Sequence, residues 1–267
     1  LPLAVEAFAN YPARVDRQWN AETGELTSEI GYQPTVEPLR LPRATTATIE
    51  LDRQLAAGLE VQVAATFRES SALAPLVVPA TSGPLPIAST GSSRYRDFQI
   101  SARRQWSGDQ QVFVSYVASS AVGERNDFST LFRELDRAIV LPAGRSRLSS
   151  DARHRWIGWG TFNLPAGIVA SPVLEWRSGF PYSILDARQA YVGTPNGQEF
   201  PAFAALDMVV YRTFSARGRA ADIGVQIFNA TRHFNPRDVY AVAGASQFGS
   251  FTNSVGTIVR GFMLIKW

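Results

Sequence analysis

Hydrophobic and polar positions alternate over most of this chain, and the alternation is cleanest at its end. Along Ser254–Trp267, Val259, Gly261, Met263, Ile265 and Trp267 fall on one face, and Ile258, Arg260, Phe262, Leu264 and Lys266 fall on the other. A period of two belongs to a β-strand, because successive Cβ atoms leave opposite sides of the backbone. A strand of a transmembrane barrel needs this layout: apolar side chains toward lipid, charge toward the lumen, and an aromatic ring at the interface. An edge or core strand of a soluble protein can alternate in the same way, and this segment alone leaves both readings open.

The same rhythm predicts strands over 44–55, Leu59–Arg68, Tyr95–Trp106, Gln111–Ser119, Asp151–Leu164, Ile168–Ser183, Ala202–Phe214, Ala221–Ala230 and 255–267. They pair as hairpins by the usual turn signals. Tight turns near 57, 108, 166 and 218 alternate strictly with long connections over 70–93, 121–150, 184–201 and 231–254. Short turns on one side and long loops on the other are the layout of an outer-membrane barrel, whose short turns face the periplasm. A soluble up-and-down barrel has no reason to segregate loop lengths. The fold class expected is therefore all-β, an antiparallel up-and-down transmembrane β-barrel with about ten strands in this chain. Ile49, Leu59, Val61, Val63, Ile100, Leu174, Ile223, Val225, Val259, Met263 and Ile265 are predicted to face lipid. Glu60, Asp97, Arg103, Glu175, Asp222 and Arg260 are predicted to face the lumen.

Composition changes this picture little. The net charge is +3, cysteine is absent, and Lys266 is the lone lysine among 26 basic residues. Acids are interspersed with the arginines, which argues against a nucleic-acid surface. Without cysteine there is no disulfide framework or thiolate metal site. The uncharged span Ser70–Ser93 contains Pro75, Pro79, Pro84 and Pro86, so it reads as a long apolar loop and not as a membrane helix. The start, Leu-Pro-Leu-Ala, shows no basic leader or cleavage site, as in a mature chain or a piece of a longer one.

Candidate chemistry is sparse. His154 and His233 lie in different segments with no ligand pair at useful spacing, and no phosphate-cradle or nucleophile-elbow pattern occurs. Neither a cofactor nor an enzymatic activity is expected. Glu175 and Arg177 share the inferred lumen face two residues apart, either as a substrate or plug contact or, the favoured reading, in ion pairs with neighbouring strands. Arg260 is a third candidate lumen contact. Phe128, Leu131, Phe132, Leu135 and Ile139 recur at helical spacing behind Asn126 or Asp127, predicting a short helix over the barrel mouth.

Several stretches resemble the C-terminal barrel region of TonB-dependent outer-membrane receptors, most closely the subgroup with a carboxypeptidase-regulatory-like N-terminal domain. They are Leu39–Arg43 with Ile49–Arg53, Asp151–Arg155, Phe162–Pro165, Ser178–Tyr182, Leu206–Phe214, Ile227–Pro236 and Trp267. The resemblance covers residues 39–267, while 1–38 forms a poorly defined segment in which Ala4–Ala9 and Ala13–Trp19 suggest one more strand, with a loop tip at Asn20–Gly24. It implies a barrel of about 22 strands around a plug, importing a scarce nutrient across the outer membrane of a Gram-negative bacterium with energy passed by TonB. It also implies that barrel-assembly machinery reads the terminal strand, with Phe262 and Trp267 as its signal. Lumen-facing positions such as Ala64, Ser101, Ser115, Ser171, Gly224 and Gly256 are small, which suits a wide lumen occupied by a plug. Strand 255–267 is accordingly expected to pair with a strand supplied by an N-terminal segment or a partner chain. The alternatives are a small self-closed barrel or a soluble β-sandwich that binds without transporting.

Overall fold

The computed structural model describes residues 14–20, 22–73, 83–106, 109–124, 145–186, 191–216 and 218–266. In chain order the strands are β1 (Arg14–Trp19), β2 (Leu26–Val36), β3 (Arg43–Ala56), β4 (Leu59–Leu73), β5 (Gly83–Ile87) and β6 (Gly91–Gln105). They continue with β7 (Gln111–Glu124), β8 (Arg145–Arg147), β9 (His154–Leu164), β10 (Ile168–Arg177), β11 (Pro181–Tyr182) and β12 (Gln198–Glu199). The last are β13 (Phe203–Ala216), β14 (Arg219–Phe228), β15 (Asp238–Val239), β16 (Phe251–Thr252) and β17 (Ile258–Lys266). A single 3₁₀ turn, Pro165–Gly167, is the only helical element among the described residues.

The long strands form one antiparallel meander in the order β17-β14-β13-β10-β9-β7-β6-β4-β3, with short β8 extending the end of β7. Each long strand pairs with its neighbours in chain order, which is up-and-down topology. Among the described residues the sheet is not closed: β3 pairs only with β4, and β17 only with β14. Strands β3, β4, β6 and β7 run 14–15 residues, more than the ~9–11 that a tilted strand needs to cross hydrocarbon.

Register assigns the faces. Ile49 stands opposite Ala65, Val63 opposite Ile100 and Ile100 opposite Tyr116. Across the other half, Leu206 lies opposite Leu174, Val210 opposite Val225 and Ile223 opposite Met263. All eleven residues predicted to face lipid thus share one face. That face is solvent-exposed here, with Ile49 at 79% and Met263 at 65%. Glu60, Arg103, Asp97, Glu175, Asp222 and Arg260 share the opposite face. Hydrophobic residues buried among those described number only three, Tyr32, Ala88 and Ala121, whereas Ser101, Ser115 and Asp222 are buried on the polar face. A soluble sandwich would bury its apolar face against a second layer. This single-layer sheet turns it outward.

The structure redraws several boundaries. Strand β10 ends at Arg177 rather than near Ser183, and β9 starts at His154, leaving Asp151 outside it. The span 70–93 is not wholly loop: β4 runs to Leu73, β5 occupies Gly83–Ile87 and β6 begins at Gly91. Residues 14–36 form two strands in a separate sheet of order β1-β2-β5, with β5 parallel to β2 and the turn at Asn20–Glu25 between β1 and β2. The segment after β2 is tied to the loop before β6, because the Arg40 amide donates to Ser89 Oγ at 2.8 Å. The helix predicted over 126–139, the stretch Ala4–Ala9 and Trp267 lie outside the described residues.

Candidate functional site

The polar face is built from strand pairs and carries its chemistry at the loop end. Glu175 on β10 accepts from Arg155 on β9, which it faces diagonally, at 3.0 Å. This is the wall ion pair that the sequence favours. Arg177, two residues on, goes elsewhere. Its guanidinium stacks on Phe180 and on Phe203 of β13, 3.8 and 4.8 Å from the ring centroids. Contact with two ring faces fixes the arginine, and one guanidinium nitrogen also donates to the Ser178 carbonyl at 3.5 Å. The guanidinium borders a recess of about 240 Å³ lined by Arg177, Phe180, Phe200, Phe203, Asn235 and Arg237. Tyr182 and Phe251 back it, with ring centroids 5.2 and 5.4 Å from Phe200 for Tyr182 and Phe251 respectively.

Local sequence explains why these rings meet. A Cβ on Gly179 would lie 1.7 Å from the Phe200 carbonyl oxygen, so only glycine lets the 178–182 segment pass against 198–200. The Phe200 amide then donates to the Phe180 carbonyl at 2.9 Å. Burial raises the pKa of the Tyr182 phenol above its ordinary value.

Two polar clamps hold the loops that frame the recess. In the first, Asp151 is 2% exposed and accepts from Arg147 Nε at 2.7 Å and from the Ala121 amide at 2.8 Å. Arg147 also pairs with Glu199, and its carbonyl accepts from the Asn196 side chain. Burial works against the Arg147 charge, but hydrogen bonds and attraction from Asp151 and Glu199 outweigh it and raise its pKa. In the second clamp, the Asn229 amide donates to Asp207 Oδ1 at 2.8 Å, and its side chain donates to the His233 and Val255 carbonyls. Asn235 both accepts from and donates to the Ala204 backbone, at 3.0 and 2.9 Å. The stretch Ile227–Pro236 therefore acts as a loop fastener. Alternation in sequence gives no sign of either clamp, since most of their partners lie more than 20 residues apart.

The remaining candidates stand apart. Arg260 lies on β17 opposite Gln226, three strands from Arg177, with its guanidinium 5.6 Å from the Phe228 ring centroid. Phe262 sits opposite Gly224 on the polar face, where a Cβ on Gly224 would come within 2.3 Å of the Val210 carbonyl. No group of three or more His, Cys, Asp or Glu side chains suited to a metal occurs among the described residues. The arrangement can bind an anionic or aromatic group.

Topology, loop placement and facing define this sheet as wall of an antiparallel up-and-down transmembrane β-barrel. Among solved structures, the chain is similar to the FrpB iron transporter from Neisseria meningitidis (F3-3 variant), at 10% identity and a TM-score of 0.54. The match covers 87% of this chain and 33% of that one, so this chain spans about a third of that protein's length. At this identity the likeness concerns the fold. No protein-family model matches the chain, and comparison with curated proteins gives no match.

Proposed function

We propose that this chain is part of the barrel wall of an outer-membrane receptor of the TonB-dependent kind, which imports a scarce nutrient, and that it is not an enzyme. The observation that carries this reading is a two-faced sheet with an exposed apolar face and, among the described residues, two unpaired edges. In hydrocarbon each unsatisfied backbone group costs several kcal/mol, so β3 and β17 must each find a partner strand. Such strands, and a plug filling the lumen, come from the rest of the protein or from a partner chain. The likeness to an iron transporter supports nutrient import as the task. Arg177 and its aromatic recess are the substrate or plug contact, while Glu175 and Arg155 brace the wall.

Membrane fractionation tests this. The protein is expected in the outer-membrane fraction, resistant to carbonate extraction and released only by detergent. Recovery in the aqueous fraction would overturn the proposal and favour a soluble binding module.

A further inference from the structure

On the loop side of the apolar face, two arginines and a histidine border one recess. By register Arg96 lies between Phe67 and Ser120, and Phe98 lies between Ala65 and Ala118, with His154 next in the same row. Arg96, Phe98, Ala118, Ser120, Arg153 and His154 border an open recess of about 450 Å³. Asp97 also borders it, but register places Asp97 opposite Thr66 and Ser119, on the polar face.

Arg94 is held by Glu69 at 2.6 Å, whereas the Arg96 guanidinium rests 5.4 Å from the Phe67 ring centroid. Among the described residues no carboxylate forms an ion pair with Arg96 or Arg153. His154 Nδ1 lies 2.8 Å from the Tyr116 hydroxyl, and the two rings stack with centroids 6.1 Å apart.

Depth follows from spacing. On β6 the outward residues Phe98, Ile100 and Ala102 lie between Arg96 and Arg104. Eight residues span ~26 Å of strand at about 3.3 Å each. At a tilt of about 40° this is roughly 20 Å of depth, close to the ~25 Å apolar band of an outer-membrane barrel. Arg104 stands over Trp106 at the turn end, 5.9 Å from the ring centroid. Arg96 therefore sits at headgroup level on the loop side, and an arginine stem can reach up the remaining few ångströms.

Guanidinium groups bind phosphate in bidentate fashion, and more strongly where water is scarce. We infer that Arg96, Arg153 and His154 form a site for the phosphate of a lipid headgroup in the leaflet on the loop side. The inference rests on the reading that the apolar face meets lipid.

The test uses the complete barrel protein embedded in phosphatidylcholine nanodiscs. Native mass spectrometry counts retained phosphatidic acid against diacylglycerol of the same acyl chains, with inorganic phosphate as competitor. The wild type is expected to retain phosphatidic acid selectively. The double variant Arg96→Gln/Arg153→Gln is expected to lose that selectivity roughly tenfold, the order expected from removing two charge-assisted contacts, while lumen-facing Arg103→Gln keeps it. Equal retention of both lipids, unchanged selectivity in the double variant, or displacement by millimolar inorganic phosphate would overturn the inference. If the protein embeds normally yet shows no selectivity, only this inference falls. Failure to embed would remove the membrane reading with it.

Discussion

Placing arginine at two adjacent positions of β6 separates the two faces most sharply. Ile100 is centred between Arg96 and Arg104 on the apolar face, flanked in register by Val63 and Tyr116, and is 41% exposed. Gln99, its chain neighbour, lies on the polar face between Ala64 and Val117. Arginine on the lipid face at mid-bilayer costs ~2–4 kcal/mol, which at about 1.36 kcal/mol per decade lowers the folded population roughly 30- to 900-fold. Arginine at 99 enters a polar, roomy face and is expected to cost within ~0.5 kcal/mol. The comparison is made by urea titration of the complete barrel folded into phosphatidylcholine vesicles. Ile100→Arg is expected to be the more destabilising by at least ~2 kcal/mol. Equal destabilisation, or a larger loss for Gln99→Arg, would refute the facing assignment. Gly224 would be a poor polar-face control, because its missing Cβ is demanded by the Val210 carbonyl at 2.3 Å.

Other consequences are accessible to simpler measurements. Gly224→Ala is expected to cost ~1–3 kcal/mol through overpacking, read in the same titration. Asp151→Ala leaves the Ala121 amide without its acceptor and Arg147 with Glu199 as its one carboxylate partner among the described residues, and is expected to cost ~1–3 kcal/mol, as for a buried group left unsatisfied; limited proteolysis should then cut within 145–199 first. Deleting Phe262–Trp267 removes the residues that pair with Gly224 and Ala221 and is expected to block membrane insertion, whereas trimming within 74–82 leaves it intact; membrane levels by immunoblot decide. The Tyr182 phenol, raised by burial above 10.0 in the folded state, contributes stability that is fully present below pH 10 and lost as pH rises through the folded pKa. Tyr182→Phe is expected to flatten that alkaline decline, measured by thermal melts against pH.

The long strands were legible because two-residue alternation is a local property. Leu59–Arg68 and Tyr95–Trp106 announce their faces without knowledge of any partner, and the tight turns between hairpins fix the order. Strand β2 was not legible. Gly31 and Pro34 interrupt it, and its edge is completed by β5, a parallel partner some 50 residues away. The strand ends failed for a related reason: β4 and β6 extend into the proline-rich span because they pair with each other as far as Leu73 and Gly91. The pairing of Glu175 with Arg155 was foreseeable as a wall contact, since both fall on the polar face of adjacent strands. The stacking of Arg177 was not, because Phe180 and Phe203 reach it only after Gly179 lets two loops close. In sequence Asp151 and Asn229 fall inside predicted strands and Asn196 in a long connection; burial and distant backbone partners give them their roles.

The central claim concerns the two open edges, and the structure of the complete protein in a lipid bilayer tests it most directly by showing what pairs with β17. The account predicts that the free edge of Val259–Ile265 is hydrogen-bonded to a strand outside residues 14–266, and that β3 likewise meets a strand from elsewhere, around a wide lumen. Residues of β17 paired instead with β3, around an interior filled by this chain's own side chains, would contradict it.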